Sequence, residues 1–222
     1  MVVAAHNEAD RIASTLAALA LAFPGASLWV ADDGSSDATG EIAAQAGAEV
    51  VRSERVIGKG GAVTVAARRA LGPASEGAGS AVFVLCDGDL GESAGTLGTL
   101  AEAVRDGRAD IAVATFARRV GGGVGLALGF ARWAIRRRSG LQTTAPISGQ
   151  RALSRRALED VLPFAGGFGM EMGMTIDGVR AGHRLLEIEL DLSHRASGRT
   201  LAGFAHRARQ LVDFVRVYVA RR

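Results

Sequence analysis

Asp87 and Asp89 close the run VLCDGDLG at residues 84–91, two carboxylates held apart by one glycine at the end of strand-forming apolar residues. Carboxylates that close repel one another, so the pair is tolerable only if it is solvated, shares a proton or faces a cation. On an extended strand, residues two apart point to the same face, so both acids could aim at one object. Gly88 between them permits a sharp turn and the close approach of a ligand. Hard oxygen donors suit Mg²⁺ or Mn²⁺, which typically take one or two carboxylates together with phosphate oxygens. Two solvated loop acids are the plain alternative.

Other residues gather around the same chemistry. Asp32 and Asp33 follow a second apolar run and precede Gly34, Ser35 and Ser36, a turn rich in hydrogen-bonding groups in which Ser36 or Asp37 can cap a helix. Lys59 is the only lysine in the chain and sits between glycines at an expected helix start, where exposed N–H groups favour anions. It does not belong to a P-loop, because Ser53 and Gly60 stand where that motif requires glycine and a hydroxyl. A solvated surface lysine is the alternative. Glu171, among the methionines of GFGMEMGM, is an acid in core-like surroundings and needs a partner or a lined cavity. His194, in LSHRASGR, leaves a late strand; neutral imidazole is a competent metal ligand, although a lone histidine is more often structural.

The elements that must position these groups follow from the spacing of apolar residues. Strands are expected at 2–5, 27–31, 49–52, 81–86 and 111–115. Helices are expected after Asn7, with Asn7 as cap and Asp10 reaching back to it, then at 37–46, from Gly58, and around Leu97–Val104. Strands alternating with helices imply βαβ units and a mostly parallel sheet, in which ligands collect at the carboxyl ends of strands. Asn7 and Glu8, Asp32 and Asp33, and Asp87 and Asp89 then share one edge. Beyond residue 116 the pattern loosens into a glycine-rich segment, a loop at TTAPISGQ, short helices at 154–162 and 170–181, a strand at 184–192 and a long final helix. In that helix Leu201, Phe204, Ala208, Leu211, Val215 and Tyr218 form one stripe.

Totals bound the class. A chain of 222 residues with 48% hydrophobic and 22% charged residues can bury a core as one domain, here 1–222, with a first half to residue 115 and a second from 116. The net charge of +3 allows nucleic acid as partner, but only 5% aromatic residues and no recognisable reading module argue against it. A single cysteine, Cys86, fits a reducing compartment, and the absence of a signal peptide or spanning run points to the cytoplasm.

With VVAAHNE, ADDGSSD, GKGGA and DGD in that order, residues 1–115 resemble GT-A (Rossmann-like) glycosyltransferases of the family 2 type, such as dolichyl-phosphate mannose synthases. The second half, PISGQRALSRRALEDVLPFAGGFGMEMGMTIDGVRAG followed by SHR, is similar to glucosyl-3-phosphoglycerate synthases. What the resemblance implies is an α/β fold and a nucleotide-sugar donor, with Ala5, Glu8 and Asp33 around base and ribose, Lys59 near the diphosphate, Asp87 and Gly88 at the ribose, and Asp89 and His194 on a Mg²⁺ or Mn²⁺ ion. Glu171 matches an acid beside the transferred sugar and acceptor. The chain departs from those synthases at the acceptor loop, where Gly122, Gly123, Val124, Gly125 and Leu126 replace the arginine and threonine that grip phosphoglycerate. It departs again where Ala196, not an asparagine, follows Arg195.

The expected function is therefore a metal-dependent glycosyltransferase using UDP-glucose ahead of GDP-mannose, with Asp89, Glu171 and His194 at the chemistry and the acceptor open. A polyprenyl phosphate would need no general base, whereas a hydroxyl compound would use Glu171; retention or inversion stays open with it. The apolar 121–135 segment, with Phe214 and Val217 on the final helix, could touch a membrane surface, core packing being the alternative. A homodimer is a further alternative. A catalytically silent nucleotide-sugar scaffold is the rival from another class. A sugar nucleotidyltransferase is disfavoured, since HNEADR lacks a glycine-rich phosphate loop.

Overall fold

Alternation along each strand decides the architecture. In β1 (Val2–Ala5) and β4 (Val82–Asp87), Val3, Val84 and Cys86 enter one apolar cluster while Val2, Phe83 and Leu85 enter another. A strand apolar on both faces must be covered on both, and helices do so here. The first cluster is roofed by α1 (Ile12–Ala22) and α4 (Gly98–Arg105). The second is roofed by α3 (Lys59–Leu71), α6 (Arg155–Val161) and α7 (Met170–Arg180). The computed structural model describes residues 1–72, 80–116, 126–192 and 201–221, without the side chains of 116 and 201–208.

With β2 (Trp29–Asp32), β3 (Glu49–Arg52), β5 (Ile111–Phe116), β6 (Arg151–Ser154) and β7 (Leu185–Leu190), the strands form one seven-stranded sheet in the order β3-β2-β1-β4-β6-β5-β7. It is mostly parallel; β6 alone runs antiparallel to both of its neighbours. The order turns between β1 and β4, the switch point where open α/β sheets bind ligands. Register sets Ala5 beside Asp32 and Ala4 beside Asp87, so three strand ends meet there. A third apolar cluster joins α5 (Leu126–Ser139), α7 and α8 (Leu201–Ala220) through Ala131, Ala134, Ile135, Met172, Ile176, Phe214 and Val217.

Several expectations are corrected. Asn7 does not cap α1, whose N-cap is Arg11 with no side-chain bond. Asn7 adopts a left-handed φ of 56°, and its Oδ1 accepts from the Ser36 amide at 2.8 Å, tying the first two strand-end loops together. A 3₁₀ segment, Gly91–Leu97, precedes α4. β6 replaces what the sequence presents as loop and helix start; Ser154 at its end caps α6 by accepting from the Ala157 amide. On α8, Phe214 and Val217 are buried, while Leu211 and Val215 of the expected stripe are exposed, so the first pair faces core rather than any membrane. Residues 117–125, including the departed acceptor loop up to Gly125, and 193–200, including His194 and Ala196, lie outside the described residues.

Candidate active site

The cation that Asp87 requires is Lys59. Its Nζ lies 2.6 Å from Asp87 Oδ1 and donates to Glu171 Oε1 at 2.7 Å, closing a carboxylate–ammonium–carboxylate cluster between the ends of β4, α3 and α7. Glu171 is 5% exposed, and a buried carboxylate with no cation would be costly, so Lys59 supplies the partner that its apolar surroundings demand. Burial alone would lower the Lys59 amine, but Asp87 and Glu171 outweigh it and hold its pKa well above the ordinary 10.5. Lys59 therefore stays charged, and its charge faces two acids.

Residues that carried no sequence signal complete the cluster. Gln150 Nε2 donates to Asp87 Oδ2 at 2.7 Å. At Gly149 a Cβ would lie 2.6 Å from Lys59 Nζ and 2.8 Å from Asp87 Oδ2, so only glycine lets this loop pass over the ion pair. Arg151 is wholly buried and braces the site from beneath. Its Nε donates to the Ser148 carbonyl and its Nη1 to Thr175 Oγ1, both at 2.9 Å, and Thr175 Oγ1 in turn donates to the Glu171 carbonyl at 3.0 Å. Burial lowers the Arg151 pKa to about 10 against the pull of Glu171 and Glu187. Glu187 fixes the start of the same loop, accepting from the Thr143 and Thr144 hydroxyls and from the Thr144 and Ala145 amides.

The remaining predicted residues divide by what holds them. Asp33 is buried and turned to backbone, with Oδ1 accepting from the Ile57 amide at 2.7 Å and Oδ2 from the Gly58 amide at 2.9 Å. It thereby sets the loop that launches α3 and Lys59. The Ala5 carbonyl accepts from the Asp33 amide, and the Glu8 amide donates to Thr39 Oγ1. Gly88 is buried, and a Cβ there would lie 3.2 Å from both the Ala4 carbonyl oxygen and Ile12 Cδ1, so its smallness serves packing at the strand end. Asp89 lies past the end of β4, half-buried, its carbonyl accepting from Arg11 Nη1 at 3.1 Å. A cleft of ≈ 230 Å³ opens at the ends of β2 and β3, lined by Gly34, Ser35, Arg52, Ser53 and Glu54.

Among the described residues no group of three His, Cys, Asp or Glu side chains could by itself hold a metal ion. Asp89 offers a hard carboxylate, which fits Mg²⁺ or Mn²⁺ taking most of its oxygens from diphosphate and water, and not an ion needing a full protein cage.

Comparison with known proteins agrees with this fold. The family model described as glycosyl transferase family 2 matches residues 1–162. Glucosyl-3-phosphoglycerate synthase from Mycobacterium tuberculosis in complex with phosphoglyceric acid is 26% identical with a TM-score of 0.74, the match covering 99% of this chain and 78% of that one. The same enzyme with Mn²⁺, UDP and phosphoglyceric acid gives 25% and 0.75, over 98% of this chain and 77% of that one. With Mg²⁺ and UDP it gives 26% and 0.74 over the same shares. A search of curated proteins finds no match.

Proposed function

The chain belongs to glycosyl transferase family 2 and has the GT-A fold, and from that premise we propose that it transfers a sugar from a nucleotide-sugar donor, UDP-glucose ahead of GDP-mannose, with Mg²⁺ or Mn²⁺ as cofactor. The observation that carries the proposal is the Asp87–Lys59–Glu171 cluster at the switch between β1 and β4, where a diphosphate and its sugar would lie. The solved relatives with UDP and a divalent ion support it.

In this assignment Ala5, Glu8 and Asp33 shape the base and ribose end, which the cleft at Ser35 and Arg52 extends. Asp87 meets the ribose through its oxygens beside Gln150. Asp89, with His194 as second protein ligand, would hold the ion, which supplies charge neutralisation to the departing diphosphate. Lys59 adds a fixed positive charge close to the same oxygens, already oriented by two carboxylates and so needing little reorganisation. Glu171, paired with Lys59, faces the transferred sugar; toward a hydroxyl acceptor it is the available base, and toward a phosphate acceptor none is required. The glycines at 122, 123 and 125 lack the charge to grip phosphoglycerate, which favours an acceptor other than that dianion.

Two measurements test the proposal together. UDP with Mn²⁺ should raise the melting temperature by mass action, and UDP-glucose with Mn²⁺ should release UDP slowly even without acceptor. Stabilisation without release across several donors would favour a silent binder; neither effect would reject the donor site altogether.

A further inference from the structure

Ten large hydrophobic side chains are exposed among the described residues, and six of them lie on α5 and α8. Leu126 and Trp133 of α5 are 72% and 51% exposed; Leu211, Val212, Val215 and Val219 are the others. Leu211, Val215 and Val219 recur every four residues and so form one ridge along α8. Tyr218 adjoins that ridge, and its ring packs 4.9 Å from Trp133 and 6.1 Å from Phe130, so the apolar surface runs without a break from one helix to the other. Scattered exposed apolar residues need no explanation, but a continuous ridge of this kind does.

The charges around it are of one sign. Arg132, Arg136 and Arg137 on α5 and Arg209 and Arg216 on α8 are exposed, and Arg138 lies 3.9 Å over the Tyr218 ring. α5 carries no acid. The one acid of α8, Asp213, is held by Arg216 and accepts from the Phe168 amide, and Asp177 on the neighbouring α7 is spent on Arg221. An exposed tryptophan and a valine ridge inside a rim of arginines match an interface that is apolar below and anionic above. A second copy would bring the same arginines against themselves, so charge complementarity disfavours it.

We propose that the paired α5–α8 face docks this protein on an anionic lipid bilayer. Such docking rests on the glycosyltransferase function proposed above and would put the acceptor side of its site at a membrane. α5 and α8 pack through Met172 and Ile176 onto α7, the helix whose first turn carries Glu171, and Asp213 of α8 holds the turn that leads into it. The acceptor class that fits is a lipid-linked phosphate, already ionised and presented from the bilayer surface. No helix among the described residues is long and apolar enough to cross a membrane, so contact would be peripheral.

The test is co-sedimentation of the full chain with phosphatidylglycerol–phosphatidylcholine vesicles, with phosphatidylcholine alone as control. Binding is expected only to the anionic vesicles, with Trp133 emission moving to the blue, and should be released by about 0.5 M salt. Arg136→Glu with Arg137→Glu should weaken partitioning about tenfold or more, and Val215→Ser with Val219→Ser should abolish the blue shift. These exposed substitutions should leave stabilisation by UDP and Mn²⁺ unchanged, which separates a failed docking face from a failed donor site. No partitioning, equal partitioning to neutral vesicles, or a dimer dissociated by the valine substitutions would overturn the proposal.

Discussion

Asp33 and Glu171 are both buried acids at the edge of the same site, yet their environments differ in kind. Asp33 is satisfied by backbone amides 24 and 25 residues away, in the loop after β3, and its role is to shape the chain. Glu171 is satisfied by one side chain, Lys59, 112 residues away, which also binds Asp87. An acid held by amides can be replaced by an amide side chain at a cost of about one hydrogen bond, because its Oδ1 still accepts while the new NH₂ cannot. An acid held by a single shared cation cannot, because the loss strands charges on both sides. The half of the chain up to β4 builds the frame and supplies Lys59 and Asp87, and the second half delivers the opposing acid, Glu171.

The largest expected effect follows from the shared cation. Lys59→Met should leave Glu171 buried and Asp87 without its ion pair, costing about 3 kcal/mol in urea unfolding and lowering donor turnover by about a hundredfold or more. A variant with near-normal turnover would place Lys59 outside the chemistry. Gly149→Ala comes next and separates site from frame. Its Cβ would meet Lys59 Nζ and Asp87 Oδ2, so both partners of the ion pair must shift; UDP release should fall steeply, and stability should fall by about 1–2 kcal/mol, less than for Lys59→Met.

Arg151→Met should cost about 2 kcal/mol, since the Ser148 carbonyl and Thr175 hydroxyl lose buried partners; Arg151→Lys should recover little, because one ammonium cannot reproduce two divergent bonds. Glu187→Gln is expected to be milder, about 1 kcal/mol at neutral pH. Burial raises the Glu187 pKa, but the bonds from Thr143, Thr144 and Ala145 outweigh it and bring it below 4.5. A depressed folded value means the stabilisation is present above 4.5 and is lost as pH falls through the folded pKa, so the gap between wild type and variant should close under acid. A gap that widened below pH 4.5 would contradict the clamp. Asp33→Asn should be the smallest change, with donor binding weakened before the fold is.

The same division explains what could be read in advance. β1, β3 and α3 follow from local periodicity, and register then carries Ala5, Asp32 and Asp87 to one edge without further information. Lys59 stood out as the only lysine, and the need of Glu171 for a partner was legible, but not that each was the other's answer. β6 escaped because a four-residue strand opening with arginine has no apolar run, and Gln150 and Arg151 escaped with it. On α8 apolar residues occur on more than one side. Which side is buried depends on α5 and α7, which pack against Phe214 and Val217. No periodicity in α8 itself distinguishes them.

Because Lys59 is the only lysine, [¹⁵N]lysine labelling gives one side-chain ammonium signal, a direct view of the cluster by NMR. The clamp predicts a sharp, slowly exchanging NH₃⁺ resonance that titrates well above 10.5 and shifts when UDP and diamagnetic Mg²⁺ are added. A broad signal titrating at the ordinary lysine value, unmoved by nucleotide and Mg²⁺, would contradict the account at its centre.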